Sequence, residues 1–324
     1  MALKKMKIIV LAGGDSTERE VSLISGHMVE KALREKGHEV EFMDLRFIRR
    51  PEEWGVILSK CAKFDIAFLA LHGVPGEDGR LQAMLELAGI PYTGEGYLSS
   101  AICMDKVLTK KILREASLPV PAEYTLEEAG TAGFPLVVKT STGGSSVGVY
   151  IVQDQKELST ALEEAKKYGG EVMLEQYIPG REFTLTVMDG KAMPIVEIIP
   201  KSSFYDYEHK YEPGATEEIC PAKLPEEETK ALSELAEKAY RALSLKTYAR
   251  FDVRRDEGGA FYFLEANSLP GMTPTSLLPQ EGAAMGMDFA GVCEKIIEVS
   301  LKKNEALYHW EYRYGEQPGM PRRD

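Results

Sequence analysis

Apolar and polar positions alternate in three different ways along the chain, and each way predicts a different kind of element. Near the start, the short apolar runs at Lys7–Leu11, Val40–Met43 and Ile66–Ala70 read as strands, the last of them fully apolar as central parallel strands tend to be. Between the first two, Val21, Ile24, Met28, Ala32 and Leu33 recur at helical spacing, and Gly37 ends the helix. Asp15, Ser16 and Thr17 are of the types that cap a helix start. Strand–helix–strand order predicts an open α/β sheet, whose ligands gather at the carboxyl ends of the strands. Two polar loops fall there, 13–18 and 71–79.

The middle of the chain changes period. A helix runs from Met104-Asp105-Lys106 to about Ala116, and Pro119 and Pro121 mark a connection. The strands Phe134–Lys139 and Val147–Val152 flank a glycine- and hydroxyl-rich loop, 140–146, and predict an antiparallel hairpin. Backbone N–H groups of such a loop can close over phosphates. The loop lacks the G-x-x-x-x-G-K-[ST] order, and a plain Gly/Ser linker has the same composition. Lys139 and Lys106 nearby favour phosphate. After a helix over Lys156–Tyr168 come the strands Val172–Glu175 and Arg181–Val187. The segment joining them can read an adenine edge with its backbone, with Glu182 accepting from ribose; a simple β-turn is the alternative.

Farther on, a strand over Ala192–Ile199 leads into a long loop to about Ile219, and loops of that length are usually lids or binding loops. An amphipathic helix, Glu226–Leu243, precedes strict alternation in Tyr248–Arg254 and Phe261–Asn267, separated by the turn residues Asp256-Glu-Gly-Gly259. Arg250 and Asp252 share one face of their strand, and Glu265 and Asn267 share one face of the return strand. One register gathers Asp252, Glu265 and Asn267. Two carboxylates ~4 Å apart repel by roughly 4 kcal/mol at an effective dielectric near 20, so that register calls for a cation, and oxygen-only ligands suit Mg²⁺. A hairpin with charges on a solvated face produces the same pattern. A loop over 271–279, a helix over Asp288–Lys303 and a polar, aromatic tail, 304–324, to which no function attaches, complete the chain.

Composition narrows the field. With 324 residues the chain exceeds one typical core. Its net charge of −12 disfavours a nucleic-acid partner. No apolar run is long enough to span a membrane, and the first run is too short for a signal peptide. Cys61, Cys103, Cys220 and Cys293 are scattered without metal-ligand spacing, as expected of reduced thiols in a cytoplasmic protein. The Gly13-Gly14 turn lacks the G-x-G-x-x-G dinucleotide spacing. Glu18, at a helix start, is explained by the helix dipole alone. His72 can be a satisfied loop histidine. On adjacent strand ends the two would instead suit a ligand's ammonium group.

Taken together, Gly13–Leu23, Leu71-His-Gly73, Gly76–Gly79, Met104-Asp-Lys106, Gly144–Gly148, Phe204–Tyr211, Ala249–Asp252, Leu264–Asn267 and Pro270–Thr273 resemble the D-alanine–D-alanine ligase family of the ATP-grasp superfamily. Lys139-Thr140 departs from the Lys-Pro frequent there. The resemblance implies an α/β, three-domain ATP-grasp architecture. An N-terminal open parallel sheet (1–102) would carry the first substrate site. A central domain (103–185) and a C-terminal domain (186–324) would sandwich the nucleotide. It implies ATP-dependent ligation of two D-alanines through D-alanyl phosphate, for peptidoglycan precursors. Lys106, Lys139, Ser146, Glu175, Tyr177, Ile178 and Glu182 would hold ATP. Asp252, Glu265 and Asn267 would hold Mg²⁺ or Mn²⁺, as two ions. Glu18 and His72 would hold the first ammonium; Ser276 and the Leu277 amide would hold the second carboxylate. Arg250 and the Gly271 amide would stabilise an oxyanion. Glu18, Ser145 and Tyr211 would form a network closing the lid, with Lys210 adding positive charge. Family members that use D-lactate lack the tyrosine, so Tyr211 implies an amine acceptor. A homodimer is usual in the family.

Overall fold

In a computed structural model of the chain, residues 3–46, 50–143, 148–200, 216–273 and 275–315 are described. They form three sheets. The first is parallel, order β2-β1-β3, from β1 (Lys7–Gly13), β2 (Glu39–Leu45) and β3 (Ile66–Leu69). Its apolar runs are continuous because both faces are covered. Ile8, Val10 and Ala12 pack with α1 (Arg19–Glu35), while Ile9 and Leu11 join the core that holds Ile57 of α2 (Pro51–Cys61) and Leu81 and Leu85 of α3 (Arg80–Leu87). A Cβ on Gly26 of α1 would lie 2.5 Å from the Ala12 Cβ, so the close approach of α1 to β1 requires glycine there.

The second sheet is antiparallel, order β4-β7-β5-β6, from β4 (Glu123–Tyr124), β5 (Leu136–Thr140), β6 (Tyr150–Val152) and β7 (Val172–Gln176). The helix α4 (Tyr97–Met104) runs into α5 (Lys106–Glu115), whose N-cap Asp105 accepts from the Leu108 amide. The helices of the second sheet's own core are α6 (Leu126–Ala132) and α7 (Gln155–Ala165), which ends in a 3₁₀ turn, Lys166–Tyr168.

The third sheet runs β11-β10-β8-β12-β13, with β9 (Lys191–Ala192) beside β8. Its strands are β8 (Arg181–Met188), β10 (Val196–Pro200), β11 (Thr216–Ile219), β12 (Tyr248–Arg255) and β13 (Phe261–Asn267). Alternation gives it two unlike faces. Phe183, Leu185, Phe251, Val253 and Phe263 are fully buried on one, packed with Leu113 of α5 and with Leu232 and Ala236 of α8 (Glu226–Ala242). Thr184, Arg250, Asp252, Glu265 and Asn267 occupy the other. After β13 come α9 (Leu277–Ala284) and α10 (Phe289–Gly315).

The α/β class and the alternating elements follow the expectation, and four boundaries differ from it. The strand expected over Ala192–Ile199 is two, β9 and β10. The end of the long loop pairs with β10 as β11, Ile198 opposite Glu218. The last helix continues to Gly315, well into the expected tail; where that tail was expected to begin, Asn304 is buried and donates to the Tyr92 and Ser300 carbonyl oxygens. A boundary between residues 185 and 186 would cut β8, which belongs wholly to the third sheet; the chain leaves the second sheet between Gln176 and Arg181.

Candidate functional site

The polar face of the third sheet fronts two adjoining clefts, of about 930 and 820 Å³ of open space. Glu18, His72, Arg250, Asn267, Gly271 and Ser276 line the first; Lys106, Lys139, Tyr177, Ile178 and Leu264 line the second. Glu182, Asp252 and Glu265 line both.

The junction is made by the β12–β13 hairpin. Asp252 lies directly opposite Glu265, and Arg250 opposite Asn267, so all four point to one face. A bulge follows: Val253 pairs with Phe263, which leaves Leu264 over and turns it into the second cleft. The largely buried Asp252 carboxylate takes both ends of the Arg250 guanidinium, at 2.8 and 2.9 Å. It also accepts from Thr184 Oγ1 (2.7 Å) and Asn267 Nδ2 (3.1 Å). Glu265 lies 3.3 Å from Lys106 Nζ, which donates to the Gly143 carbonyl oxygen at 2.6 Å. Two carboxylates and one amide oxygen are the hard donor set of a cation that takes its other ligands from phosphate and water. Among the described residues no three His, Cys, Asp or Glu converge into a fuller protein cage.

In the second cleft, Glu182 pairs with Arg254 (3.4 Å), whose guanidinium also lies over the Tyr177 ring. Gly180 turns the chain into β8; a Cβ there would meet the Arg255 carbonyl oxygen at 2.1 Å. Glu175 lines the same cleft. Its carboxylate is buried and engaged by two lysines, Lys139 Nζ at 2.8 Å and Lys110 Nζ, so the side chain organises lysines. Burial and the neighbouring Lys106 push the Lys139 ammonium down to about 8.

The first cleft ends on the parallel sheet. Glu18 is the N-cap residue of α1 and makes no side-chain capping bond; Ser16 Oγ instead accepts from the Glu18 amide and donates to the His72 carbonyl oxygen. Thus the two polar loops are tied together. Burial holds the His72 imidazole below its usual value, so it is neutral near pH 7. Ser25 Oγ lies 3.2 Å from His72 Nε2 and accepts from the Met272 amide, which joins α1 to the loop after β13. Glu77 accepts from the Gly73 amide, and burial, then Glu18, push its carboxyl up to about 8. At the other side of this cleft Ser276 is the N-cap of α9, so the Leu277 amide belongs to a helix N-terminus, a natural place for an anion. Ser276 Oγ bonds Thr273, by its amide (2.9 Å) and its hydroxyl (2.8 Å).

The expected Ser145, Ser146, Lys210 and Tyr211 lie outside the described residues. The other expected residues all line one of the two clefts. Sequence reasoning missed Lys110, Ser25, Glu77 and Thr184. Lys110 stands one helical turn after Lys106, a legible signal; Glu77 sat in a loop already marked as polar. Nothing in the local sequence distinguishes Ser25 or Thr184.

The chain matches the family descriptions "D-ala D-ala ligase C-terminus" over residues 103–298 and "D-ala D-ala ligase N-terminus" over 46–95. The chain belongs to the D-alanine–D-alanine ligase family. Its fold is therefore that of an ATP-grasp enzyme. A D-alanine--D-alanine ligase of Syntrophotalea carbinolica is 44% identical over 93% of this chain and 98% of its own length. The crystal structure of a D-alanine--D-alanine ligase from Bacillus anthracis complexed with ATP has a TM-score of 0.81 at 38% identity, covering 94% of this chain and 99% of that one. A D-Ala:D-Ser ligase from Enterococcus faecalis has a TM-score of 0.75 at 29% identity, covering 92% and 100%. The matched regions hold most of the cleft lining, His72 and Glu77 in one and Lys106 through Leu277 in the other, while Glu18 precedes both. No helix among the described residues is long and apolar enough to cross a membrane.

Proposed function

We propose that the protein joins two D-alanine molecules into D-alanyl-D-alanine, converting ATP to ADP and phosphate, as a step in making peptidoglycan precursors. The observation that carries this reading is the pair of clefts sharing Asp252, Glu265 and Glu182. A γ-phosphoryl group bound in one cleft can there meet a carboxylate bound in the other.

ATP occupies the cleft of Lys139, Tyr177, Ile178 and Leu264, with its phosphates toward Lys106 and Lys139. Its Glu182–Arg254 wall borders the ribose. The first D-alanine places its ammonium by Glu18 and His72. A carboxylate oxygen attacks the γ-phosphorus, ADP departs, and D-alanyl phosphate forms. The amine of the second D-alanine, whose carboxylate sits at Ser276 and the Leu277 amide, attacks the acyl carbon. Arg250 and the Gly271 amide stabilise the tetrahedral oxyanion, the phosphate leaves, and the peptide bond is made. Mg²⁺ or Mn²⁺ held by Asp252, Glu265 and Asn267 would supply charge neutralisation for the phosphates. Ser145, Ser146, Lys210 and Tyr211 belong to the same reading as the cover over this chemistry, which must exclude water from an acyl phosphate.

The test is D-alanine-dependent ADP release with identification of the product. D-alanine alone should elicit turnover and D-alanyl-D-alanine; L-alanine should not. No release with D-alanine sinks the substrate assignment. Because a D-Ala:D-Ser ligase is among the structural neighbours, D-serine and D-lactate are tested as acceptors; a mixed product made in preference to the homodipeptide would change the acceptor. The proposal includes a homodimer in the cytoplasm. Sedimentation reads the first part, and fractionation of cells reads the second.

A further inference from the structure

Beside the second cleft one buried carboxylate serves two lysines, whereas its neighbours are paired one to one. Arg114 lies 3.2 Å from Glu123, and Lys106 3.3 Å from Glu265. Glu175 remains, and it faces two ammonium groups, Lys110 and Lys139. Among the described residues Glu175 is thus a buried carboxylate shared by two ammonium groups. Lys110 is fully buried, from the middle of α5, and does not line the cleft; Lys139 is nearly buried and does. Glu175 sits between them on β7, where its strand neighbour Val137 is on β5 two residues before Lys139.

A lone Lys139–Glu175 pair would be closed. Its ammonium would be neutralised by the carboxylate, and a phosphate would have to compete for it. Lys110 changes that count. By neutralising Glu175 from behind, it leaves Lys139 fixed in place and its positive charge uncompensated on the cleft side. We propose that Lys110 is a positioning residue for the nucleotide, which keeps the charge of Lys139 available to a phosphate by neutralising Glu175. Burial holds the Lys110 ammonium below the usual lysine range, and its contact with the Glu175 carboxylate favours the charged form. A purely structural pair would need only one lysine.

This inference rests on the ATP reading above. Steady-state kinetics of the full chain, with ATP and D-alanine varied separately, test it. Lys110→Met should raise KM for ATP about tenfold, the scale of one charge-assisted contact, with KM for D-alanine unchanged. The double variant Lys110→Met/Glu175→Gln should recover, with KM for ATP within about threefold of wild type, because it removes the closed pair along with the lysine. A merely structural lysine gives the opposite ordering, the double variant being no better than the single. Either that ordering, or an unchanged KM for ATP in Lys110→Met, overturns the proposal. If Lys110→Met alone does not fold, the double variant decides: a KM for ATP raised tenfold overturns it and a near-normal one supports it. Wild-type protein inert toward D-alanine and ATP would refute the functional reading instead, before any variant is compared.

Discussion

The two clefts differ in how their buried charges are partnered. In the proposed nucleotide cleft each buried or half-buried carboxylate faces a cation: Glu175 with Lys110 and Lys139, Glu265 with Lys106, Glu182 with Arg254. In the proposed substrate cleft, beyond the Arg250–Asp252 pair at the junction, two buried groups are pushed towards their neutral forms. His72 is held neutral, and the Glu77 carboxyl is pushed up to about 8. A polyanion is best met by charges already fixed in place, since they need little reorganisation when it arrives. A small zwitterion carries its own compensating charges, and neutral polar groups can shape its site without repelling either end. The contrast teaches that burial alone does not assign a role; the partner across the cleft does.

The largest effect is expected at the junction. Arg250→Ala leaves Asp252 without its guanidinium and should lower kcat by about 10²–10³-fold in D-alanine-dependent ADP release. A loss of threefold or less would mean the pair is not part of the reacting centre. Next, the clefts should separate kinetically. Lys106→Met should raise KM for ATP about tenfold or more and leave KM for D-alanine alone, while Glu18→Gln should do the reverse. If both variants moved the same constant, the clefts would not be distinct sites.

A smaller effect lies in the pH dependence. The folded-state value of Glu77 is raised above its unfolded one, so between about 4.5 and 8 the folded protein holds a proton that the unfolded chain has lost. Its contribution therefore falls as pH rises through that window. Glu77→Gln should flatten part of the decline in Tm between pH 5 and 8, by about 2 °C or more. An unaltered profile would show Glu77 ionised in the fold. The smallest effect is expected from Ser25→Ala. It strands the Met272 amide and His72 Nε2 at about 1 kcal/mol, and it should raise KM for D-alanine a few-fold with no change for ATP. A variant with wild-type melting and kinetics would remove Ser25 from the account.

Much of this was legible because the relevant signals are local. Strict alternation placed Asp252, Glu265 and Asn267 on one face, and the structure pairs Asp252 with Glu265 directly. The apolar runs of the first sheet predicted their own burial. The partnership of Glu175 with Lys110 was not legible because it is made with α5, some 65 positions away in the chain, and no local period reports that Lys110 will be inside. The strand β11 escaped notice for the same reason: Thr216–Ile219 carries two glutamates and becomes a strand only by pairing with β10. The bulge at Leu264 depends on the register of two strands and leaves no mark in either.

One consequence follows from where α10 packs. Val292, Cys293, Ile296 and Ile297 share a core with Ile8, Val10, Ala12, Val29 and Leu33, so the beginning and the end of the chain complete each other. During synthesis the first sheet emerges long before its covering helix. At roughly 5–20 residues per second, some 10–50 s separate them. For that interval the nascent protein carries an uncovered apolar surface, and a ribosome stalled before α10 would release a product built to aggregate or to be degraded.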